Sequence, residues 1–227
     1  MLPLQYLDIH THNRTISEDL ESVHCLSMKE LKDSIRPGQF ITGGIHPWWI
    51  EDLSSEEIEA LKVKVALDAS HFWGIGETGI DRTYPEFLEQ QLELFRWHVN
   101  LAHEKNLPVI IHNVRSGSDF LGLIKELKPQ TPWIFHDFRG SEQLIKDLLR
   151  LHPDCYFSVG ISLDNSPQVR EMIPFIPLER LFLETDAQKH LDIHDIYLRA
   201  SDQLKIDLDF LKSQIWMNFK RINSRHN

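Results

Sequence analysis

Two histidines one residue apart, in the run Leu7-Asp8-Ile9-His10-Thr11-His12, are the first residues of the chain with an evident chemistry. In a strand, side chains two apart point the same way, so His10 and His12 aim at one place with Asp8 on the same side behind them. Imidazoles so placed can grip a cation and leave coordination positions for carboxylate and water. Asp8 fits as their support, because metal-bound histidines hand their other N–H to an oxygen. Glu77, in Gly74-Ile75-Gly76-Glu77-Thr78-Gly79-Ile80-Asp81, carries two oxygens that can bridge two metals, and Asp81 is read as supporting it. No lysine follows these glycines, so a phosphate loop is excluded. Two apolar runs, Pro108-Val109-Ile110-Ile111-His112 and Pro132-Trp133-Ile134-Phe135-His136, each end in histidine and supply nitrogens for a second cation. Leu181-Phe182-Leu183-Glu184-Thr185-Asp186 ends in two acids of the same parity. One can point into the fold while the other meets metal and solvent, and Asp186 there can take a proton from the nucleophilic water.

These residues span much of the chain, so something must gather them. Short apolar or β-branched runs at 6–12, 22–26, 40–46, 72–77, 108–112, 133–136, 156–159 and 181–186 read as strands. Helical patterns lie between many of them. Ser54 and Glu57 form a capping box ahead of Ile58, Leu61 and Val65. Pro85 can open a helix that carries Leu88, Leu92, Phe95, Val99 and Ala102. Stretches 116–127, 141–151 and 208–221 are amphipathic, while His98 and His103 fall within a helix and are read as packing or surface residues. Alternating β and α elements predict an α/β fold of parallel strands, and the strand count favours a closed TIM-type (β/α) barrel. Such barrels build their sites at the C-terminal rim, where His12, Glu77, His112, His136 and Asp186 would all fall. At 227 residues the barrel is compact or distorted. With little chain between the first two strands, the helix of the first βα unit is expected to be shortened or missing. Residues 1–227 are read as a single domain.

Composition narrows the function classes. A net charge of −10 argues against gripping nucleic acid through a broad basic face, but not against a cleft whose metals supply the positive field. The cysteines, Cys25 and Cys155, are far apart and form no CxxC, so the spacing points to neither a disulfide framework nor a thiolate zinc site. No leader-like segment or long uncharged apolar run occurs, so a cytoplasmic protein with no membrane association and no obligate protein partner is expected.

The ordered blocks DIHTH, GIHP, GIGETGID, Gln90-Gln91, LPVIIH, HDFRG and LFLETDA together resemble TatD-type hydrolases, metal-dependent deoxyribonuclease-like members of the amidohydrolase superfamily. The blocks run from Asp8 to Ala187, and Asn218-Phe219-Lys220-Arg221 is similar to the family's closing helix. The resemblance implies a bimetallic site built from His10, His12, Glu77, His112, His136 and Asp186. It implies hydrolysis of DNA phosphodiester bonds, often from an end. His46 would then be a substrate contact near the mouth, and Arg139 would meet a phosphate oxygen. The chain departs from the family pattern in a short 12–46 segment, in Val114 where an arginine is usual, in Asp137 and in Gln188. The histidine-rich set suits zinc as the bound ion, with magnesium or manganese as activating ions. Trp48 and Trp49, after His46-Pro47, can form an aromatic wall on which bases stack. Two other readings share the same residues: hydrolysis of another ester or an amide, and a barrel that binds without turnover.

Overall fold

The computed structural model describes residues 5–13, 17–33 and 40–224; the unit expected over 1–227 extends beyond them at both ends. Eight strands run parallel in sequence order: β1 (Tyr6–Thr11), β2 (Leu20–Cys25), β3 (Phe40–Gly43), β4 (Gly74–Asp81), β5 (Val109–Val114), β6 (Trp133–Phe135), β7 (Cys155–Val159) and β8 (Leu181–Leu183). The sheet closes where Thr11 bridges Asp186. There the Asp186 N–H donates to the His10 carbonyl at 2.9 Å and the His12 N–H to the Asp186 carbonyl at 3.1 Å. The fold is the expected TIM-type barrel.

The helices are α1 (Met28–Lys32), α2 (Ser55–Asp68), α3 (Leu88–Lys105), α4 (Gly117–Leu127), α5 (Glu142–Leu151), α6 (Ser162–Asn165), α7 (Pro167–Met172), α8 (Ile193–Leu204) and α9 (Leu208–Asn223). Helix α2 starts at the Ser54–Glu57 capping box, and α5 is capped by the Ser141 hydroxyl on the Leu144 N–H. Pro85 opens a 3-10 turn, Pro85–Phe87, that leads into α3. The expected deficit sits in the first units. Among the described residues no helix joins β1 to β2, and the β2–β3 connection carries the five-residue α1.

Buried runs such as Val109-Ile110-Ile111 and Trp133-Ile134-Phe135 bind the strands to the helical layer, where Phe95, Phe120 and Trp133 meet edge to face. Each such side chain stabilises the fold by about 1.5–3 kcal/mol relative to an exposed one. Among the described residues the β1–β8 seam is bridged near its rim, at Thr11 and Asp186. Lower down, the Tyr197 hydroxyl of α8 accepts from the Leu7 N–H at 3.2 Å and donates to the Leu7 carbonyl at 2.9 Å.

The β4–β5 pair is drawn unusually close. A Cβ on Gly79 would lie 2.0 Å from the His112 carbonyl oxygen, and one on Gly76 2.7 Å from that of Ile110. Both glycines adopt positive φ, which a side chain would resist. The β4 register against β5 shifts between Ile75 and Thr78, and that irregularity surrounds Glu77.

Candidate metal centre

Glu77 is buried at the barrel rim, and its two oxygens face different partners. Oε2 lies 3.4 Å from His10 Nε2 and 3.3 Å from His12 Nε2. Asp186 Oδ1 completes that side at 3.5 and 3.6 Å from the same two nitrogens. Oε1 lies 2.8 Å from His112 Nδ1, 2.7 Å from His136 Nε2 and 3.0 Å from His46 Nε2. One carboxylate thus stands between two nitrogen clusters. All six expected ligands, contributed by β1, β4, β5 and the segments just after β1, β6 and β8, converge on one small volume.

Second partners fix which ring nitrogen faces inward. His112 Nε2–H donates to Asp81 Oδ2 at 3.0 Å, which turns Nδ1 toward Glu77, and these two acids outweigh burial to raise the ring's pKa. His136 Nδ1 lies 3.4 Å from Glu184 Oε1, leaving Nε2 toward Glu77. Glu184 is wholly buried and also accepts from the Asp137 N–H at 2.8 Å and from the Ser158 hydroxyl. Of the two strand-end acids, Glu184 therefore points into the fold, while the Asp186 side chain is 29% exposed. Asp186 and Asp137 both hold positive φ, a conformation aspartate tolerates better than most residues.

His46 differs from the other imidazoles. Its Nδ1 accepts the Trp48 N–H at 3.1 Å, and burial holds its pKa below the ordinary value, so the neutral ring carries its proton on Nε2. The nitrogen the neutral ring aims at Glu77 is thus a donor, whereas His10, His112 and His136 have their pKa values raised by the acids around them. The expectation of a contact near the mouth needs correction in place: His46 is buried inside the cluster, because the Pro47–Asp52 3-10 turn folds it over Glu77. Asp8 also departs from expectation. Its oxygens accept from the Thr185 N–H at 3.1 Å, the Thr185 hydroxyl at 2.6 Å and the His10 backbone N–H at 3.4 Å, so it ties β1 to the segment after β8 rather than receiving an imidazole N–H. Arg139, exposed at the cleft, forks onto Asp137, with Nε at 2.9 Å. The expected extra negative charge of Asp137 is thereby paired.

The donor set fits a divalent cation on several counts. Among the described residues, Nδ1 of the fully buried His10 lacks a hydrogen-bond partner and Nε2 meets carboxylate oxygens only at 3.4 and 3.5 Å, a loose arrangement for buried polar atoms unless something else is bound there. The acids also draw positive charge inward. Burial and the nearby His136 would lower His10, yet Asp186 and Glu77 outweigh them and raise it to about 9. Burial opposes charge on His136 too, but Glu77 and Glu184 hold it well above the usual range. Burial would likewise raise Glu77, whereas His136 and His46 keep it well below the carboxylate range. The residues that could hold cations are His10, His12, Glu77 and Asp186 on one side, and Glu77, His112 and His136 on the other. Cys25, which the sequence spacing sets aside, stands against His10, His12 and Glu77. A cleft of about 650 Å³ opens from the site past Trp48, Thr83, Asn113, Arg115 and Arg139.

Residues 9–222 match the family described as TatD related DNase. The chain is 30% identical over 146 residues to the uncharacterized metal-dependent hydrolase YabD of Bacillus subtilis, covering 63% of this chain and 56% of that one. It is 32% identical over 161 residues to the 3'-5' ssDNA/RNA exonuclease TatD of Erwinia billingiae, covering 67% and 59%. The matched region thus spans little more than half the length of these relatives. The structure superposes on YJJV, a TatD homolog of Escherichia coli K12, with TM-score 0.81 at 18% identity, covering 97% of this chain and 98% of that chain. A TatD-family hydrolase of Entamoeba histolytica gives TM-score 0.79 at 19% identity over 98% and 99%. Both likenesses are of fold.

Proposed function

Because the chain belongs to the TatD-related DNase family, we propose that it is a divalent-metal-dependent hydrolase of phosphodiester bonds in DNA, attacking single strands from an end. The observation that carries this reading is Glu77 standing between two imidazole clusters, one oxygen to each. Two cations held there would supply Lewis acidity toward a phosphoryl oxygen and lower the pKa of a water toward neutrality. The protein's own groups supply the rest. Asp186, flanked by His10 and His136 and partly open to the cleft, is the acid placed to accept the proton of the attacking water. Burial alone would raise it, but those imidazoles keep it ionised. His46 presents an N–H beside Glu77 and suits a phosphate oxygen. Trp48, 49% exposed at the cleft, offers a face for a base. Pairing of Asp137 with Arg139 removes an uncompensated anion from the path of a phosphate.

The family match and the name of the Erwinia relative support DNA or RNA as the substrate class. The test uses zinc- or manganese-loaded protein on end-labelled single-stranded DNA, on RNA and on acyl esters. Stepwise shortening of DNA is expected, with Asp186→Asn losing on the order of 100-fold or more. Turnover of acyl esters with intact DNA would assign a different bond. A loaded protein inert on all of them would make the barrel a binding module.

A further inference from the structure

Cys25 ends β2, and its neighbour settles which way it faces. His24 Nε2 reaches Glu30 Oε1 on α1 at 3.0 Å, on the helical side of the sheet. Adjacent strand residues point oppositely, so Cys25 turns into the barrel. Its Sγ, a nitrogen each of His10 and His12, and an oxygen of Glu77 all lie within 4.8 Å of one another. His10, fully buried and without a close hydrogen bond at either ring nitrogen, contributes one of those nitrogens to that same space.

We propose that the Cys25 sulfur is a metal ligand on the His10–His12 side of Glu77, so that the two cation positions differ in chemistry. This rests on the metal-centre reading above. The His10–His12 position then has a soft donor and favours zinc, cobalt or cadmium over magnesium and manganese. The position formed by Glu77 Oε1, His112 and His136 has nitrogen and oxygen donors among the described residues and accepts a broader range. Binding replaces the Cys25 S–H bond with a sulfur–metal bond, and the displaced proton passes to solvent.

Cobalt(II) reports both readings separately. Metal-free full-length protein is titrated with cobalt(II) under anaerobic conditions. The d–d bands report occupancy of the centre, and a near-ultraviolet sulfur-to-cobalt charge-transfer band reports thiolate ligation. The expected result is both bands in the wild type and in Cys155→Ser, where Cys25 is the remaining cysteine. In Cys25→Ser the d–d bands should persist without the charge-transfer band. Its zinc affinity, by chelator competition, should fall roughly tenfold or more, at least the loss that follows removal of a group supporting a ligand. If Cys25→Ser does not fold, the band in Cys155→Ser carries the assignment. Occupancy without a charge-transfer band in the wild type overturns the proposal and leaves the metal centre standing. Absence of cobalt uptake by the wild type overturns both.

Discussion

At the scale of single residues, the site depends on groups that aim the imidazoles as much as on the imidazoles themselves. Asp81 shows this. Oδ2 accepts from His112 and from the Trp48 indole N–H at 2.7 Å, while Oδ1 accepts from the Thr83 N–H and hydroxyl. An amide cannot accept at both positions, so Asp81→Asn must break one pair. Zinc affinity should drop roughly 10–100-fold by chelator competition, with the far-ultraviolet circular dichroism unchanged; unaltered affinity would remove Asp81 from the site. His98 holds the backbone of Ile45, the residue before His46. Its Nε2 accepts the Ile45 N–H at 3.0 Å, and Nδ1 lies 2.8 Å from the Leu94 carbonyl and 2.9 Å from the Thr78 hydroxyl. Burial pushes its pKa down to about 3, so the folded ring stays neutral where an unfolded one is protonated. Below the unfolded value of about 6.5 the unfolded chain binds the extra proton, and the folded state loses stability until pH reaches about 3. From pH 6 to 5 this amounts to about 1 kcal/mol. His98→Gln should lower stability at pH 7 and flatten that part of the urea-midpoint profile; equal slopes would exclude His98 as the source. The ligand candidates were legible because a titratable residue at the end of an apolar run is visible in sequence. The donor character of His46 was not, since it depends on one backbone N–H. Cys25 ends a strand just as His112 ends its apolar run, and the same reasoning applied to β2 would have found it.

At the scale of elements, local chemistry foretold what local chemistry controls. The Ser54–Glu57 box sets the start of α2, and the Pro85 turn feeds α3 as its spacing predicts. Helix α8 was equally legible, with Ile193, Ile196, Tyr197 and Ala200 buried at helical spacing behind an Asp192 cap, yet the prediction runs from Asp186 to Leu208 without it. Strand irregularities were hidden for a different reason. Register shifts near His10 and Glu77 arise from pairing with neighbouring strands, which strand parity alone does not encode. The seam between β1 and β8 gives a test at this scale. Tyr197→Phe would strip both the Leu7 N–H and carbonyl of their partner inside the fold. Each buried unsatisfied group costs about 1–3 kcal/mol, so a loss of at least that size is expected in urea unfolding. A neutral result would mean that other groups satisfy Leu7. Because the seam carries His10 and His12, the variant should also weaken cobalt binding more than a surface change on α5 does.

At the scale of the whole molecule, the candidate ligands come from both sides of the barrel's closure. His10 and His12 stand at one edge of the sheet, Asp186 at the other, and Glu77, His112 and His136 in between. A cation held by such a set is a cross-link between elements that meet only when the chain is folded. It therefore binds the native state in preference to the unfolded one, and by mass action stabilises it by about 2.7 kcal/mol at a free concentration 100 times its dissociation constant. For a chain of this size that corresponds to a rise of roughly 5–10 °C in the unfolding midpoint. The rise should grow with the logarithm of free zinc, reverse on chelation, and shrink in His112→Ala, which removes one donor from the Glu77 Oε1 side. Among the described residues no helix is long and apolar enough to cross a membrane. Tight zinc binding without any shift would mean that the unfolded chain grips the ion equally well. In that case folding would not be what gathers these ligands, and the barrel rim would lose its claim to be the metal centre.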